Sequence, residues 1–208
     1  MCIRDRDGDT EQFRGMEQQE EVKEKIEDLE EEIATVIQAY TNSKGCLIKD
    51  RDAVSQLKEK GYGNLKKTGL QLTDYEMLYM VNSMTLEVIH DKKNLSFNSL
   101  VETSLQRDPF AWTKFLIYRD LRSRGYVPRE GFGFGADFRV YGRGEYRKKA
   151  AKYVIFAMNE GTEINIEFLA NSVKDILKMG KTPIIAVVER RGEVIYYTLS
   201  GSKFKKLK

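Results

Sequence analysis

The run Ile184-Ile-Ala-Val-Val188 constrains the fold most, because five consecutive apolar residues leave no polar face and suit a strand covered on both sides. Such a strand needs sheet neighbours and helices packed on it. The flanking sequence supplies both. A four-residue turn, Glu189-Arg-Arg-Gly192, leads into Val194-Ile-Tyr-Tyr-Thr-Leu199 as a hairpin partner. Upstream, Ile166, Leu169, Ala170, Val173, Ile176 and Leu177 trace one face of a helix over Ile166–Lys178, with Gly180 where a C-cap belongs. Residues 109–125 give another helix carrying Phe110, Phe115, Tyr118 and Leu121 and ended by Gly125, and Ala136–Tyr141 and Tyr153–Ala157 read as further strands. Gly131-Phe-Gly-Phe-Gly135 precedes a strand instead of a helix, so it reads as a tight strand entry and not as a phosphate cradle.

Residues 41–107 form a smaller mixed unit. Cys46–Lys49 suits a strand, Asp52 is placed to cap a helix that stops near Gly61, and Thr73 with Glu76 makes a capping box before Tyr75, Leu78 and Met80. Leu86–Ile89 suits a strand, and Ser96 caps a third helix through Leu100 and Leu105. Asp108-Pro109, with proline expected at the first helical position, marks the boundary with 108–200. Ahead of these, Val22, Ile26, Leu29, Ile33, Val36 and Tyr40 recur at steps of four and three, the stripe of an acidic amphipathic helix over 16–40. That stripe suits packing on its own domain, a short coiled coil or docking on another chain. Residues 1–15 read as a disordered tail whose opening Met-Cys-Ile-Arg-Asp-Arg resembles translated adapter sequence, and 201–208 as a basic tail. The expected fold class is α/β in the mixed α+β sense. It comprises a small N-terminal mixed α/β domain, a C-terminal mixed β-sheet flanked by helices, and an additional N-terminal amphipathic helix.

No apolar run reaches the ~18 residues of a membrane span, and no secretory h-region opens the chain, so a cytoplasmic protein with no membrane contact is expected. Cys2 and Cys46 lack metal-ligand spacing and His90 is the single histidine, which argues against a Cys/His zinc site, haem or a Ser-His-Asp triad, and no metal or cofactor is expected. His90 itself, in Leu-Glu-Val-Ile-His-Asp, reads as a surface or satisfied core residue. Residues 1–33 hold thirteen Asp/Glu against five Arg/Lys, a net −8, so residues 34–208 carry +11 of the whole-chain +3. Between Arg119 and Lys152 stand ten Arg/Lys against four Asp/Glu, interleaved with Tyr118, Tyr126, Tyr141 and Tyr146. Cations for phosphates and aromatic faces for bases are the footprint of nucleic-acid binding, although charge runs are also common on solvated faces.

Tyr118-Arg-Asp-Leu-Arg-Ser-Arg-Gly-Tyr126, Phe134-Gly-Ala-Asp-Phe-Arg-Val-Tyr141, Ala151-Lys-Tyr-Val-Ile155 and Lys181-Thr-Pro-Ile-Ile-Ala-Val-Val188 followed by Val194-Ile-Tyr-Tyr197 resemble, in order and spacing, the C-terminal domain of archaeal tRNA-splicing endonucleases. Gly61-Tyr-Gly63 and Leu72-Thr-Asp-Tyr-Glu-Met-Leu-Tyr79 are similar to the N-terminal domain of that family. The acidic stripe before residue 41 is not part of the pattern.

The resemblance implies metal-independent cleavage of precursor tRNA at intron boundaries, leaving a 2′,3′-cyclic phosphate and a 5′-hydroxyl. That chemistry needs a base for the 2′-hydroxyl, an acid for the departing oxygen and a cation on the phosphorane. The family assigns these to Tyr, His and Lys. By resemblance the tyrosine is Tyr141 and the lysine Lys181, but the histidine position is Ala150. Losing an acid–base partner typically costs ~10²–10⁴ in rate. Lys148 and Lys149 stand nearby, but a lysine near pKa ~10.4 is a poor donor at neutral pH. The family's base-sandwiching arginine falls at Lys174, and Arg139, Arg143, Lys148, Lys149 and Lys174 are the expected RNA contacts. The loop 189–192, usually acidic in catalytic subunits, here carries Arg190 and Arg191. The expectation is a structural, RNA-binding subunit of a heterotetramer, joined to a second subunit through Glu193–Leu199. The alternatives are a chain competent alone through Tyr141 and Lys181, and a stand-alone RNA-binding module.

Overall fold

The computed structural model describes residues 36–200 except Phe132. Strands β1 (Ile37–Asn42) and β2 (Gly45–Ile48) form a hairpin, and helix α1 (Arg51–Glu59) follows. Strands β3 (Asn64–Lys66) and β4 (Gly69–Leu72) form a second hairpin before helix α2 (Asp74–Asn82). Strands β5 (Leu86–His90) and β6 (Lys93–Asn94) lead to helix α3 (Phe97–Arg107). The six strands make one sheet in the order β3-β4-β2-β1-β5-β6, with β1 and β5 parallel. Helix α4 (Ala111–Ser123), strands β7 (Val127–Glu130), β8 (Phe138–Tyr141) and β9 (Tyr153–Asn159), helix α5 (Ile166–Lys178), and strands β10 (Thr182–Val188) and β11 (Val194–Thr198) complete the described elements. Their sheet runs β11-β10-β9-β8-β7, with β9 and β10 parallel and the other pairs antiparallel. The mixed α+β fold with two mixed sheets is therefore as the sequence predicts.

The expected sandwiching of β10 is also observed. Ala186 and Val188 join the large core with Leu116 and Leu121 of α4, while Ile185 packs with Ile176 of α5 on the opposite face. One core runs through both sheets, from Ala39, Ile48 and Leu72 to Phe138 and Ile155. Tyr75 of α2 packs against both Tyr118 of α4 and Phe138 of β8, at ring separations of 5.2 and 5.1 Å. Offset and edge-on aromatic pairs of this kind add to the area they bury.

Several local expectations are met and others corrected. The capping box forms in full, with Glu76 accepting from the Thr73 backbone at 3.1 Å, and Ser96 accepts from Ser99 to cap α3. The first helix is capped by Asp50, not Asp52; Asp50 has the extended backbone a cap needs, and Asp52 lies inside the first turn. Helix α4 begins at Ala111, two residues after Pro109, because Asp108 accepts from the Phe110 amide and holds those residues in a turn. Most of the acidic stripe lies outside the described residues, as do the two tails. Its last residues, 37–40, are strand and not helix. Ala39 is fully buried there, paired with Ile48 on one side and Val88 on the other, and that two-sided pairing overrides the helical spacing. Strands β3, β4, β6 and β7 are short additions that the sequence did not signal. Pro128 is tolerated in β7 because β7 is an edge strand.

Two arginines of the basic stretch fasten the sheets together. Arg129 on β7 is buried, and its guanidinium donates to the carbonyls of Gly61 at 3.0 Å and Gly63 at 2.6 Å and to Asn64 Oδ1 at 2.8 Å. Its charge faces the buried Glu76 carboxylate at 3.5 Å, which in turn accepts from the Gly63 amide at 3.0 Å. Arg122 on α4 donates to the carbonyls of Lys60 and Gly61 and lies 4.0 Å from the Tyr62 ring centroid. Gly61 and Gly63 have φ of +78° and +56°, and a Cβ on Gly61 would press on Val127 and Tyr146. The Gly61-Tyr-Gly63 segment is thus a backbone acceptor site for the second sheet. Arg129→Ala is expected to destabilise the fold by about 3–5 kcal/mol, because it leaves Glu76 buried without its countercharge. The shift of the urea unfolding midpoint measures it.

Candidate active site

The site is set by strand register. Val140 pairs with Tyr153, and Tyr153 pairs with Thr182, so the next residues toward that end of the sheet, Tyr141, Lys152 and Lys181, fall in one cross-strand row. Two backbone bonds extend the pairing into that row: the Lys152 amide donates to Val140 at 3.0 Å, and the Thr182 amide donates to Lys152 at 3.0 Å. Two strand spacings of ~4.8 Å put the Tyr141 and Lys181 backbones roughly 10 Å apart. The sequence brings them to this end by different routes. Tyr141 closes β8, while Lys181 follows the α5 C-terminus, where Gly180 turns with φ of +68° and the Lys181 amide donates to Ile176.

Each side chain is held. The half-buried Tyr141 ring meets Tyr146 edge-on at 5.0 Å. Lys181 Nζ donates to the Ala151 carbonyl at 2.6 Å, which places its ammonium beside the residue that follows Ala150. Ala150 is exposed, at the end of the β8–β9 connection. That connection is a compact turn in which the Lys148 and Lys149 amides both donate to the Glu145 carbonyl, and Lys149 Nζ bonds the Glu145 carboxylate at 2.6 Å. The ammonium holds the Glu145 carboxyl below its usual range, and the carboxylate raises Lys149 in return. Lys149 is therefore engaged and, if anything, a weaker proton donor than an ordinary lysine. His90 lies at the end of β5 in the other sheet, exposed beside Asp91.

The other basic positions divide by role. Arg143 and Lys148 are exposed, and the Arg143 guanidinium lies 5.5 Å from the Tyr126 ring centroid. Arg139 is half-buried on β8, in register with Arg129. Lys174 is exposed on α5, about two turns before Lys181. Arg122 and Arg129 bind backbone carbonyls of the first half, and Arg124 pairs with Asp120, so part of the basic run serves folding. Composition alone does not disclose these structural uses, nor does it set Lys152, one cation among ten, in the middle of the row. The Val140–Tyr153–Thr182 register was the signal, and it needed the parallel pairing of β9 with β10.

At the far edge, β11 pairs only with β10 among the described residues. Tyr196 donates to Asp120 at 2.7 Å, and burial together with that carboxylate raises its hydroxyl pKa well above the ordinary range. Tyr197 is 53% exposed on the unpaired edge. The loop ahead of it carries Arg190, paired with Glu160 at 3.7 Å, and the exposed Arg191.

This two-sheet chain, with Tyr141 and Lys181 at one sheet end, matches family models in both halves. The tRNA intron endonuclease N-terminal domain matches residues 37–101, and the tRNA intron endonuclease catalytic C-terminal domain matches 111–196. The chain belongs to the tRNA intron endonuclease family. It is similar to the tRNA-splicing endonuclease of Methanococcus vannielii, 35% identical over 80% of this chain and 95% of the relative. The Methanococcus maripaludis protein of the same name is 33% identical over 80% and 95%. That of Pyrococcus furiosus is 29% identical over 82% and 99%. Among the described residues no helix is long and apolar enough to cross a membrane.

Because Ala150 is exposed and followed by a fixed strand, Ala150→His is expected to leave stability within about 0.5 kcal/mol of the parent. Equal thermal midpoints for the two chains would bear this out.

Proposed function

We propose that this chain is the structural, RNA-contacting subunit of a tRNA-splicing endonuclease, in which a second subunit carries the complete cleavage site. One observation carries the reading: Ala150, the position to which the resemblance assigns the family's proton donor, presents only an exposed methyl group. Transfer of the 2′-oxygen to phosphorus expels the 5′-oxygen, which must take up a proton as it leaves. Tyr141 suits the role of base and Lys181 that of the cation on the phosphorane, but neither position supplies the acid. Lys149 is tied to Glu145, and a lysine of ordinary or raised pKa gives up a proton too reluctantly at neutral pH.

The RNA surface in this reading comprises Arg139, Arg143, Lys148, Lys149 and Lys174. Substrate precursor tRNA supplies the complementary phosphates. The partner joins through Glu193–Leu199, where the unpaired edge of β11 offers main-chain donors and acceptors to a second strand. A cytoplasmic location accords with such a substrate. The retention of Tyr141 and Lys181 in one row favours a second reading, a chain that cuts alone with a lysine or water as acid.

The purified chain incubated with a bulge–helix–bulge precursor tRNA and a chelator separates the two. No cleavage is expected, and rapid cleavage would overturn the structural role. Ala150→His is expected to raise cleavage by ~10²–10⁴, with a pH profile showing a group near 6.5. A partner docked on β11 is expected to be lost from Ile195→Pro, since proline removes a strand donor and disturbs the edge. Native mass measurement of the co-expressed subunits reads that loss.

A further inference from the structure

We propose that Lys152 is a phosphate contact for the RNA, seated between Tyr141 and Lys181 at the centre of the candidate site. The inference deepens the reading above and depends on it. The row geometry gives Lys152 a fixed origin: its amide is bonded to β8 through Val140 and its carbonyl to β10 through Thr182, so its Cα cannot drift from the midpoint of the two retained residues. In that row it has the parity of Val154, which packs with Ile176 of α5, so Tyr141, Lys152 and Lys181 start from one face of the sheet, and the Lys152 ammonium bends from there toward the Tyr153 ring.

Two neighbouring cations are already engaged. Lys149 bonds the Glu145 carboxylate, and Lys181 donates to the Ala151 carbonyl, each at 2.6 Å. Lys152 is exposed, and its ammonium rests 5.2 Å from the Tyr153 ring centroid; it forms no ion pair among the described residues, although its charge acts on the nearby Glu145 carboxylate, which is bonded to Lys149. An exposed cation–π contact is weak and is readily exchanged for a phosphate oxygen, whose full negative charge competes better for the ammonium than a ring quadrupole does. A flexible four-carbon stem rising from a rigid backbone suits a point contact to one phosphate, not bidentate recognition of a base edge. The position therefore contributes affinity for the RNA backbone whether or not this chain cuts.

The test is binding of a bulge–helix–bulge precursor tRNA by the full chain, titrated over a series of salt concentrations in chelator. Lys152→Ala and Lys152→Gln are both expected to weaken binding several-fold and to lower the slope of log affinity against log salt by about 1, the loss of one neutralised phosphate. Lys152→Arg should keep the slope. Lys66→Ala, an exposed cation on β3 in the other sheet, should leave both quantities unchanged. Unaltered unfolding midpoints exclude a folding defect in an exposed side chain. If the parent binds and both neutral variants keep its slope, the Lys152 contact is wrong while the wider reading stands. If the parent does not bind RNA, both fall together.

Discussion

The parallel pairing of β9 with β10 is the constraint on which the site depends. Parallel strands need a crossover, and here α5 supplies it, returning the chain to the end of the sheet at which β9 began. That return brings Lys181 beside Ala151, although the two are thirty positions apart in sequence. The antiparallel neighbour β8 arrives at the same end with Tyr141 as its last residue. A one-residue slip in either pairing would move these side chains to the opposite face. The burial of Val140, Val154 and Ile155 resists such a slip, so core packing and site geometry are specified by the same residues.

A second constraint holds the two sheets to each other. Arg129 and Glu76 are both buried, and an ion pair so placed is stable only if its other hydrogen-bonding capacity is met. The left-handed turns at Gly61 and Gly63 present the carbonyls that meet it. Tyr146 lies against the same segment and also meets Tyr141 edge-on. The loop that leads to Ala150 is thereby linked to the first half of the chain through packing.

Much of this fold was legible from local pattern. The Ile184–Val188 run, helix α5 and the caps at Thr73 and Ser96 each carry their own signal and stand where the sequence placed them, although of the α5 stripe Val173 and Ile176 are buried while Ile166, Ala170 and Leu177 are exposed. What escaped was decided by tertiary context. Ile37–Tyr40 follow a helical spacing but form a central strand, because β2 and β5 supply partners on both sides. The strands β3 and β7 are only three and four residues long, too short to show a period. Among the basic residues, composition could not separate Arg129, which is spent on buried carbonyls, from Arg143, which is exposed. The positions of Tyr141, Ala150 and Lys181 were available from resemblance alone; their placement at one sheet end required the register.

The presence of Tyr141 and Lys181 does not by itself argue for catalysis. Both have structural employment: Lys181 satisfies the Ala151 carbonyl at the mouth of β9, and Tyr141 braces Tyr146 against the Gly61 turn. An exposed loop position such as 150 has no comparable duty. A chain released from cutting would therefore shed the histidine first, since its loss costs the fold nothing, and would keep the tyrosine and lysine for packing and hydrogen bonding. That asymmetry accords with the structural role proposed above, in which another chain supplies the proton.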